Sequence, residues 1–323
     1  MVQNKKSDEK KSNVGSVFKW VFIVLFLVML GLVSLVIAGV ALLFVEVDGT
    51  ELIGDANVAI IKVHGVITAE SSSSFGSSSG AASSSIVKLI DKADENPLIE
   101  AVLFEVNSPG GSPVASEEIS NRINKMDKPS VALIREVGAS GAYWVSTATD
   151  HIVASKMSLT GSIGVIGSYV ELYGFLDRYN LSYNRLVAGK HKDLGTPLKE
   201  MPEDEREIIQ DVLDELHDEF ISTVAENRNM SDFEVRKLAT GQYYTGRQAL
   251  ENGLVDRLGG MDEALEYIEV ELNITAKPAA FEEPRSFWES LAVIFTEQSF
   301  FVGKGIGDSL LENKARSDFK VSI

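Results

Sequence analysis

The first hydrophobic feature of the chain is a run of 26 uncharged, mostly apolar residues, 20–45. At about 1.5 Å per residue, a helix of this length is roughly 39 Å long, which is enough to cross a bilayer with some tilt. The apolar core of a cleaved signal peptide is usually about 7–15 residues long. We therefore predict a retained transmembrane anchor over residues 18–45, after a polar, disordered tail formed by residues 1–17.

The charges on either side of this anchor predict its orientation. Residues 1–19 contain five lysines and two acidic residues, whereas the residues just after the apolar run are acidic. Lysine-rich flanks tend to stay on the cytoplasmic side of a membrane. We expect a single-pass protein of the plasma or inner membrane, with its N-terminus in the cytoplasm and its main domain outside the cytoplasm.

Beyond the anchor, short apolar runs alternate with amphipathic segments. The predicted strands are residues 57–63, 100–106, 130–134 and 183–187, and the predicted helices are residues 86–93, 112–126, a long one from 203, and 261–272. This alternation predicts parallel βαβ units and therefore an α/β fold. The Ser-, Gly- and Ala-rich residues 71–85 predict a flexible surface loop. We place the main domain at residues 50–275 and a C-terminal appendage at residues 276–323.

Composition narrows the chemistry. The chain has no cysteine, which excludes disulfides and thiol catalysis. Four histidines, at positions 64, 151, 191 and 217, lack the spacing of metal ligands, so neither a metal nor another cofactor is expected. The formal net charge of −17 would repel phosphates and argues against nucleic acid as a partner.

Ser140 is the first candidate for chemistry. It follows an apolar strand and precedes residues 141–149, which are small, aromatic or β-branched and uncharged. A strand that turns into a helix at this point places the serine near free backbone N–H groups and the positive end of the helix dipole. That environment suits a nucleophile whose attack on a carbonyl creates negative charge. The purely structural alternative is that these small residues only let the helix pack closely on the sheet.

Two further turns follow predicted strands. Loops after parallel strands converge on one edge of the sheet. Residues 107–111 contain Gly110 and Gly111, whose backbone N–H groups suit an oxyanion, and the segment lacks the Gly-Lys-Ser/Thr sequence of a nucleotide loop. A nucleophilic serine also needs a base. His191 and Lys192 compete for that role, and the nearby Lys190 is a further alternative. A lysine serves as a base only when its amine is neutral, typically through burial.

Five motifs in the same order carry a resemblance to a known family. They are residues 107–111, 139–143, 160–164, 189–193 and 253–256. Together they resemble the short form of signal peptide peptidase A, a family of membrane-anchored Ser-Lys peptidases with the ClpP/crotonase-like fold. The resemblance covers residues 50–275 and the anchor.

The resemblance implies a role for each matching residue. Ser140 corresponds to the nucleophile, Lys192 to the general base and Ser162 to the hydroxyl that orients the lysine. Gly110 or Gly111 corresponds to the oxyanion-hole donor, whereas Lys190 is not part of the pattern. Family members of this length form homo-oligomeric rings or domes, in which the serine and the lysine often come from neighbouring subunits.

The expected function is a serine endopeptidase that degrades cleaved signal peptides and other short hydrophobic peptides. One alternative is a membrane-bound ClpP-class protease acting on other membrane or envelope proteins. A second is an acyl-CoA hydratase or isomerase on the same fold, which the outward topology and Lys192 oppose. A third is a catalytically silent scaffold, which the presence of both Ser140 and Lys192 opposes.

Overall fold

The computed structural model describes residues 18–35, 54–70, 73–74, 77–78 and 80–282. Helix α1, Phe18–Leu35, has a mean hydropathy of 2.5 and is, within these ranges, the one helix long and apolar enough to cross a membrane. The predicted tail 1–17, the end of the predicted anchor, residues 71–72, 75–76 and 79 of the predicted loop, and the residues after 282 lie outside the described residues.

A mostly parallel sheet forms the centre of the fold. The described strands are β1 (Val58–His64), β2 (Ile67–Thr68), β3 (Ser73–Ser74), β4 (Ser77–Ser78), β5 (Ala81–Ala82), β6 (Ala101–Ser108), β7 (Ser130–Ala139), β8 (His151–Ala154), β9 (Leu159–Gly161), β10 (Tyr243–Thr245), β11 (Arg257–Leu258) and β12 (Pro278–Phe281). Eight of them form the main sheet, in the order β10-β9-β7-β6-β1-β12, with β8 beside β7 and β11 beside β8. Its pairings are parallel except that of β9 with β10. The predicted α/β fold with a parallel sheet is confirmed.

The helices begin and end at residues that suit those positions. After α1 they are α2 (Ser83–Glu95), α3 (Pro113–Ile123), α4 (Gly141–Thr147), α5 (Tyr173–Arg178), α6 (Glu203–Arg228), α7 (Asp232–Leu238), α8 (Gly246–Glu251) and α9 (Met261–Leu272). Ser231 and Thr245 form capping boxes at the starts of α7 and α8, so their side chains satisfy free N–H groups there. The predicted helices from 203 and over 261–272 are both present.

Helices cover both faces of the main sheet. On one face α2, α3 and α4 pack over apolar side chains that include Ile61, Phe104 and Ile134. On the other face α9 covers a smaller cluster that includes Leu103 and Leu133. Burial on both faces explains why these strands are almost continuously apolar in sequence.

Strand β7 changes its neighbour halfway along. Residues 131–134 pair with β8, whereas residues 137–139 pair with β9. On its other side β7 stays beside β6, with a register irregularity between Val106 and Ser108. The change of neighbour carries the end of β7 to the carboxyl edge of the sheet, next to the end of β9.

Three expectations need adjustment. The predicted strand at residues 183–187 is wrong, because no strand is present there and Leu186 is 96% exposed, so its apolar side chains do not contact a sheet of this chain. Residues 81–85, expected to belong to the flexible loop, form β5 and the start of α2. Strand β12 lies beyond the domain boundary placed at residue 275, yet it pairs with β1 in the main sheet.

A partly buried ion pair joins the end of α6 to the loop after α8. Arg228 donates a hydrogen bond of 3.0 Å from Nη1 to Oδ2 of Asp256, and its Nε donates to the Gly253 carbonyl at 3.2 Å. The same Asp256 oxygen accepts the Ile152 N–H at 2.8 Å. Burial alone raises the pKa of Asp256, but the hydrogen bonds and charge of Arg228, with the Ile152 N–H, outweigh it and hold the pKa below its usual value.

We predict that Arg228→Ala lowers the free energy of unfolding by about 2 kcal/mol at pH 7, because it leaves a partly buried carboxylate without its counter-charge. Since the pKa of Asp256 is lower in the folded protein, the pair contributes its full stability above about pH 4 and loses it as the pH falls below that value. The difference in unfolding free energy between the variant and the wild type should therefore become smaller in acid. Urea unfolding at several pH values measures this difference.

Arg236→Ala is the matched control for this prediction. Arg236 pairs with Asp218 at 2.8 Å, but both side chains are more than half exposed. Its removal should cost less than about 1 kcal/mol. If both variants lose the same unfolding free energy, partial burial does not make the Arg228–Asp256 pair more stabilising than the exposed pair.

Candidate active site

Ser140 joins β7 to α4 with an unusual backbone. Its φ is +54° and its ψ is −128°, a conformation that residues with a side chain rarely adopt. Such strain costs about 1–3 kcal/mol and persists only where the surroundings enforce it. Here the Ser140 N–H donates to the Gly161 carbonyl at 2.8 Å, and the Ser140 carbonyl accepts the N–H groups of Tyr143 and Trp144 at 2.9 and 3.0 Å. The serine is therefore fixed from both the sheet side and the helix side.

Helix α4 is buried along its whole length, which holds the junction in place. The Tyr143 hydroxyl donates to the Leu254 carbonyl at 2.8 Å, and burial raises the pKa of this phenol. The Trp144 ring stacks on Phe220 of α6 with 4.8 Å between centroids. The predicted strand–serine–helix arrangement is present, and it is the packing of α4 that fixes it.

The glycine loop after β6 lies directly against Ser140. A Cβ placed on Gly110 would lie 2.7 Å from the Gly141 nitrogen and 2.8 Å from the Cβ of Ser140. Gly110 also has a φ of +97°. Only glycine therefore allows this loop to approach the serine so closely.

The two glycines differ in what their N–H groups do. The Gly110 N–H donates to Oγ of Ser108 at 3.1 Å. Gly111 forms a parallel bridge with Ile67, in which the bonds run through the Gly110 carbonyl and the Ser112 N–H. In that pattern the N–H of Gly111 itself faces away from Ile67. The Gly111 nitrogen lies 3.3 Å from the position of a Cβ on Gly141, beside the start of α4.

Ser162 occupies the corresponding position on the neighbouring strand. Ala139 pairs with Gly161, so Ser140 and Ser162 each follow the last paired residue of two adjacent parallel strands. Ser162 also has a positive φ, +49°. Its Oγ donates to the Gly241 carbonyl at 3.1 Å. The structure thus brings Ser140, Ser162 and the glycine loop together, although they are distant in sequence.

Gly241 was not singled out from the sequence. It lies in the connection between α7 and β10, where its N–H donates to the Ile163 carbonyl at 3.0 Å and its carbonyl accepts the Ser162 hydroxyl. A glycine before a strand is a common turn signal, and only the antiparallel pairing of β10 with β9 shows that this turn lies on Ser162.

The sequence predicts a buried Lys192, but in the single chain this residue is exposed. Its side chain is exposed and has no hydrogen bond or ion pair with any other residue in the described part of the chain. In contrast, the Lys190 amine lies 2.6 Å from the Asp204 carboxylate. Asp193 binds Arg185 at 2.6 Å, and together with Lys199 these cations lower its pKa to about 2. The turn that carries Lys192 is therefore held by its neighbours, while Lys192 itself points into solvent.

The segment before Lys192 is apolar and exposed. Between residues 166 and 187, eleven large hydrophobic side chains are exposed: Ile166, Tyr169, Val170, Leu172, Tyr173, Phe175, Tyr179, Leu181, Tyr183, Leu186 and Val187. We call this stretch the apolar arm. Monomeric proteins rarely expose so much contiguous apolar surface. The exposure of the arm is therefore unusual for the surface of a single domain.

A cavity of about 410 Å³ lies away from Ser140, where Pro129, Asp150 and Tyr267 line it at the amino ends of the strands. It is therefore separate from the carboxyl edge of the sheet that carries Ser140. In the described ranges no group of three or more His, Asp or Glu side chains is arranged to hold a metal ion.

We predict that Gly110→Ala lowers both the stability of the protein and the reactivity of Ser140. The added methyl would collide with the Gly141 backbone and with Ser140. A serine-directed fluorophosphonate should label the variant at least about tenfold more slowly, because the collision displaces the nucleophile.

Gly253→Ala is the control, because Gly253 has a φ of +74° but open space around its Cα. It carries a similar backbone penalty without touching Ser140. Slower labelling of both variants to the same extent would show that backbone strain, rather than contact with the serine, causes the effect.

Comparison with known proteins places the chain in a family. Residues 122–275 match the model of "Peptidase family S49". A candidate protease of Methanocaldococcus jannaschii is 34% identical over 226 residues, covering 69% of this chain and 72% of its own. A candidate signal peptide peptidase SppA of Enterococcus faecium is 35% identical over 227 residues, covering 69% of this chain and 66% of its own.

Two more distant matches are a plant protein and a solved structure. The chloroplastic serine protease SPPA of Arabidopsis thaliana is 27% identical over 224 residues, covering 68% of this chain and 33% of its own. A mutant of the membrane-bound stomatin-specific protease 1510-N, solved with a substrate peptide, has a TM-score of 0.44 and 16% identity, covering 76% of this chain and 99% of that one. On the strength of its sequence relatives, the chain belongs to peptidase family S49 and is a serine peptidase similar to signal peptide peptidase A.

Proposed function

We propose that this protein is a membrane-anchored endopeptidase with a Ser140–Lys192 dyad that degrades cleaved signal peptides and other short hydrophobic peptides. The observation that carries the proposal is the meeting of Ser140, Ser162 and the glycine loop at one edge of the sheet. These three features lie where a nucleophile, a hydroxyl beside the base and an oxyanion donor would be needed.

Ser140 attacks the scissile carbonyl, and Lys192 accepts the serine proton and passes it to the leaving amine. Gly111 is the better oxyanion donor of the two glycines, because the Gly110 N–H is already donated to Ser108. The Gly111 N–H lies instead on the side of the loop that carries Gly141. A donor fixed in the main chain stabilises the developing charge without having to reorganise.

Ser162 holds the amine of Lys192. Because the Ser162 hydroxyl donates to Gly241, its oxygen is left to accept an N–H from the lysine. A neutral amine that donates in this way keeps its lone pair directed to the serine proton. Because the hydroxyl hydrogen of Ser162 is already donated to Gly241, it does not bind the lone pair of the lysine amine.

Lys192 is a better candidate for the base than Lys190. The Lys190 amine is already held by the Asp204 carboxylate at 2.6 Å. Lys192 has no such carboxylate partner among the described residues. Its exposure in a single chain fits a site completed by a second copy, which would remove the amine from water.

The apolar arm supports a homo-oligomeric ring. Residues 166–187 precede the turn that carries Lys192, and their side chains have no core of their own to pack into. If the arm packs on a neighbouring copy, it buries these side chains and delivers Lys192 to the neighbour's Ser140. Head-to-tail contacts of this kind form a ring when the rotation between successive copies closes.

The substrate and location follow from the anchor and the relatives. Helix α1 suits a single membrane span, and the lysines before it favour a cytoplasmic N-terminus with the peptidase domain outside the cytoplasm. A relative with 35% identity is described as a signal peptide peptidase. Hydrophobic peptides released in the membrane would reach a domain tethered to that membrane.

We predict that Lys192→Ala lowers kcat/KM for a hydrophobic peptide by at least about 10³-fold, because no base then activates Ser140. Lys190→Ala should stay within about threefold of the wild type. For the wild type, kcat/KM should rise with pH between about 6 and 9 as the base loses its proton. The reverse result for the two lysines, or a flat pH profile, would reassign the base.

We also predict that two inactive variants restore each other. A Ser140→Ala chain supplies Lys192 and a Lys192→Ala chain supplies Ser140, so random reassembly would give intact sites at about a quarter of positions. Peptidase activity after mixing is the measurement. The control mixes Ser140→Ala with the double variant Ser140→Ala, Lys192→Ala, which regenerates no site. Absence of activity despite proven subunit exchange would place both residues in one chain.

A further inference from the structure

The pairing register between strands β6 and β7 changes just before the site. They pair one to one from Val102 and Ser130 to Val106 and Ile134, and pairing resumes at Ser108 and Gly138. One residue of β6, Asn107, therefore faces three residues of β7, 135–137. A bulge of this kind leaves backbone groups of the longer strand without ladder partners.

Two side chains satisfy the backbone of this bulge. From the β6 side, Oδ1 of Asn107 accepts the Val137 N–H at 3.2 Å. From the β9 side, the Oγ of buried Ser158 donates to the Arg135 carbonyl in the bulge and also lies 3.1 Å from the Ile134 carbonyl. Because the donor at Val137 is a main-chain N–H, the atom of Asn107 that meets it must be the amide oxygen.

Asn107 also joins a third strand. Its main-chain carbonyl accepts the Gly65 N–H at 3.1 Å, just after β1. It therefore holds β1, β6 and β7 together at the level where they approach the site. Val137 is three residues before Ser140, and Asn107 is three residues before Gly110.

The short distances at the site make the position of Ser140 sensitive to how β7 is aligned with β6. Gly110 approaches Ser140 and Gly141 so closely that a single methyl group would not fit between them. A small shift of β7 past β6 would move Ser140 relative to the Gly111 N–H. The Asn107–Val137 hydrogen bond is a side-chain tie that sets this relation after the regular ladder has been interrupted.

We propose that Asn107 is a positioning residue, whose amide oxygen fixes the strand carrying Ser140 against the loop carrying Gly111. The inference rests on the proposed function, since it assigns Asn107 a role in that reaction. Asn107 does not touch the substrate. It acts through the backbone of Val137, so its loss should reduce the rate of the chemical step more than substrate binding.

The test compares Asn107→Ala with Asn107→Asp in the full-length chain. The alanine variant should lower kcat by about 10- to 100-fold with KM within about threefold, because a shift near 1 Å at a reacting atom has effects of that size. Fluorophosphonate labelling of Ser140 should slow in parallel. The aspartate variant keeps an oxygen at the same position and should recover to within about threefold of wild-type kcat.

Asn57→Ala is the matched control. Its Oδ1 accepts the Lys277 N–H at 2.8 Å, which is the same kind of bond between neighbouring segments. Its Nδ2 also donates to Glu100 at 3.0 Å and to the Thr275 carbonyl at 3.1 Å. These bonds lie near the start of β1 and β12, at the opposite end of the sheet from Ser140. Asn57→Ala should therefore lower the melting temperature at least as much as Asn107→Ala while leaving kcat unchanged.

Two results would overturn the inference. One is a kcat for Asn107→Ala equal to that of Asn57→Ala, and the other is an aspartate variant as slow as the alanine variant. If the alanine variant does not fold, Asn107→Ser, whose side chain is too short to reach Val137, replaces it under the same criteria. Ser140→Ala distinguishes failure of the proposed function from failure of the role of Asn107. If Ser140→Ala remains active, the proposed function is wrong. If it is inactive while Asn107→Ala has normal activity, only the role of Asn107 is wrong.

Discussion

The backbone of Ser140 is the constraint on which the arrangement of the site depends. A serine with a φ of +54° between a strand and a helix is unfavourable in isolation. It is maintained because β7 is fixed in the sheet and α4 is buried beneath α3 and α6. The free energy of burying Tyr143 and Trp144 offsets the local strain. The side chain of Ser140 is consequently presented at the sheet edge in one orientation.

The parallel sheet determines which residues meet Ser140. Strand β7 leaves β8 and joins β9, so the residue after Gly161 comes to lie beside the residue after Ala139. Glycines on the other side let the loop after β6 approach within contact distance. The main chain positions both of these neighbours of Ser140. The geometry at Ser140 therefore depends more on strand register than on the side chains at the edge of the sheet.

The described chain combines a complete core with an incomplete surface. The sheet and its helices bury nearly all of their apolar residues, whereas the apolar arm exposes eleven large side chains next to the turn of Lys192. Ion pairs hold that turn in shape without burying its free lysine. The contrast explains why we propose a second copy of the chain, rather than more of the same chain, as the surface that covers the arm.

Local patterns in the sequence were enough to predict the α/β class, three central strands of the sheet, its main helices and the candidate residues of the site. These follow from apolar periodicity, capping residues and glycine turns, which act over a few residues. The sequence also favoured a strand at residues 183–187, because an apolar run buried in a sheet and one that covers another surface have the same pattern. The tertiary structure decided that Ser140 stands beside Ser162, that Gly241 accepts the Ser162 hydroxyl, and that Asn107 bridges the bulge in β7. Register, bulges and the pairing of distant strands are long-range properties, and no local pattern of residues encodes them.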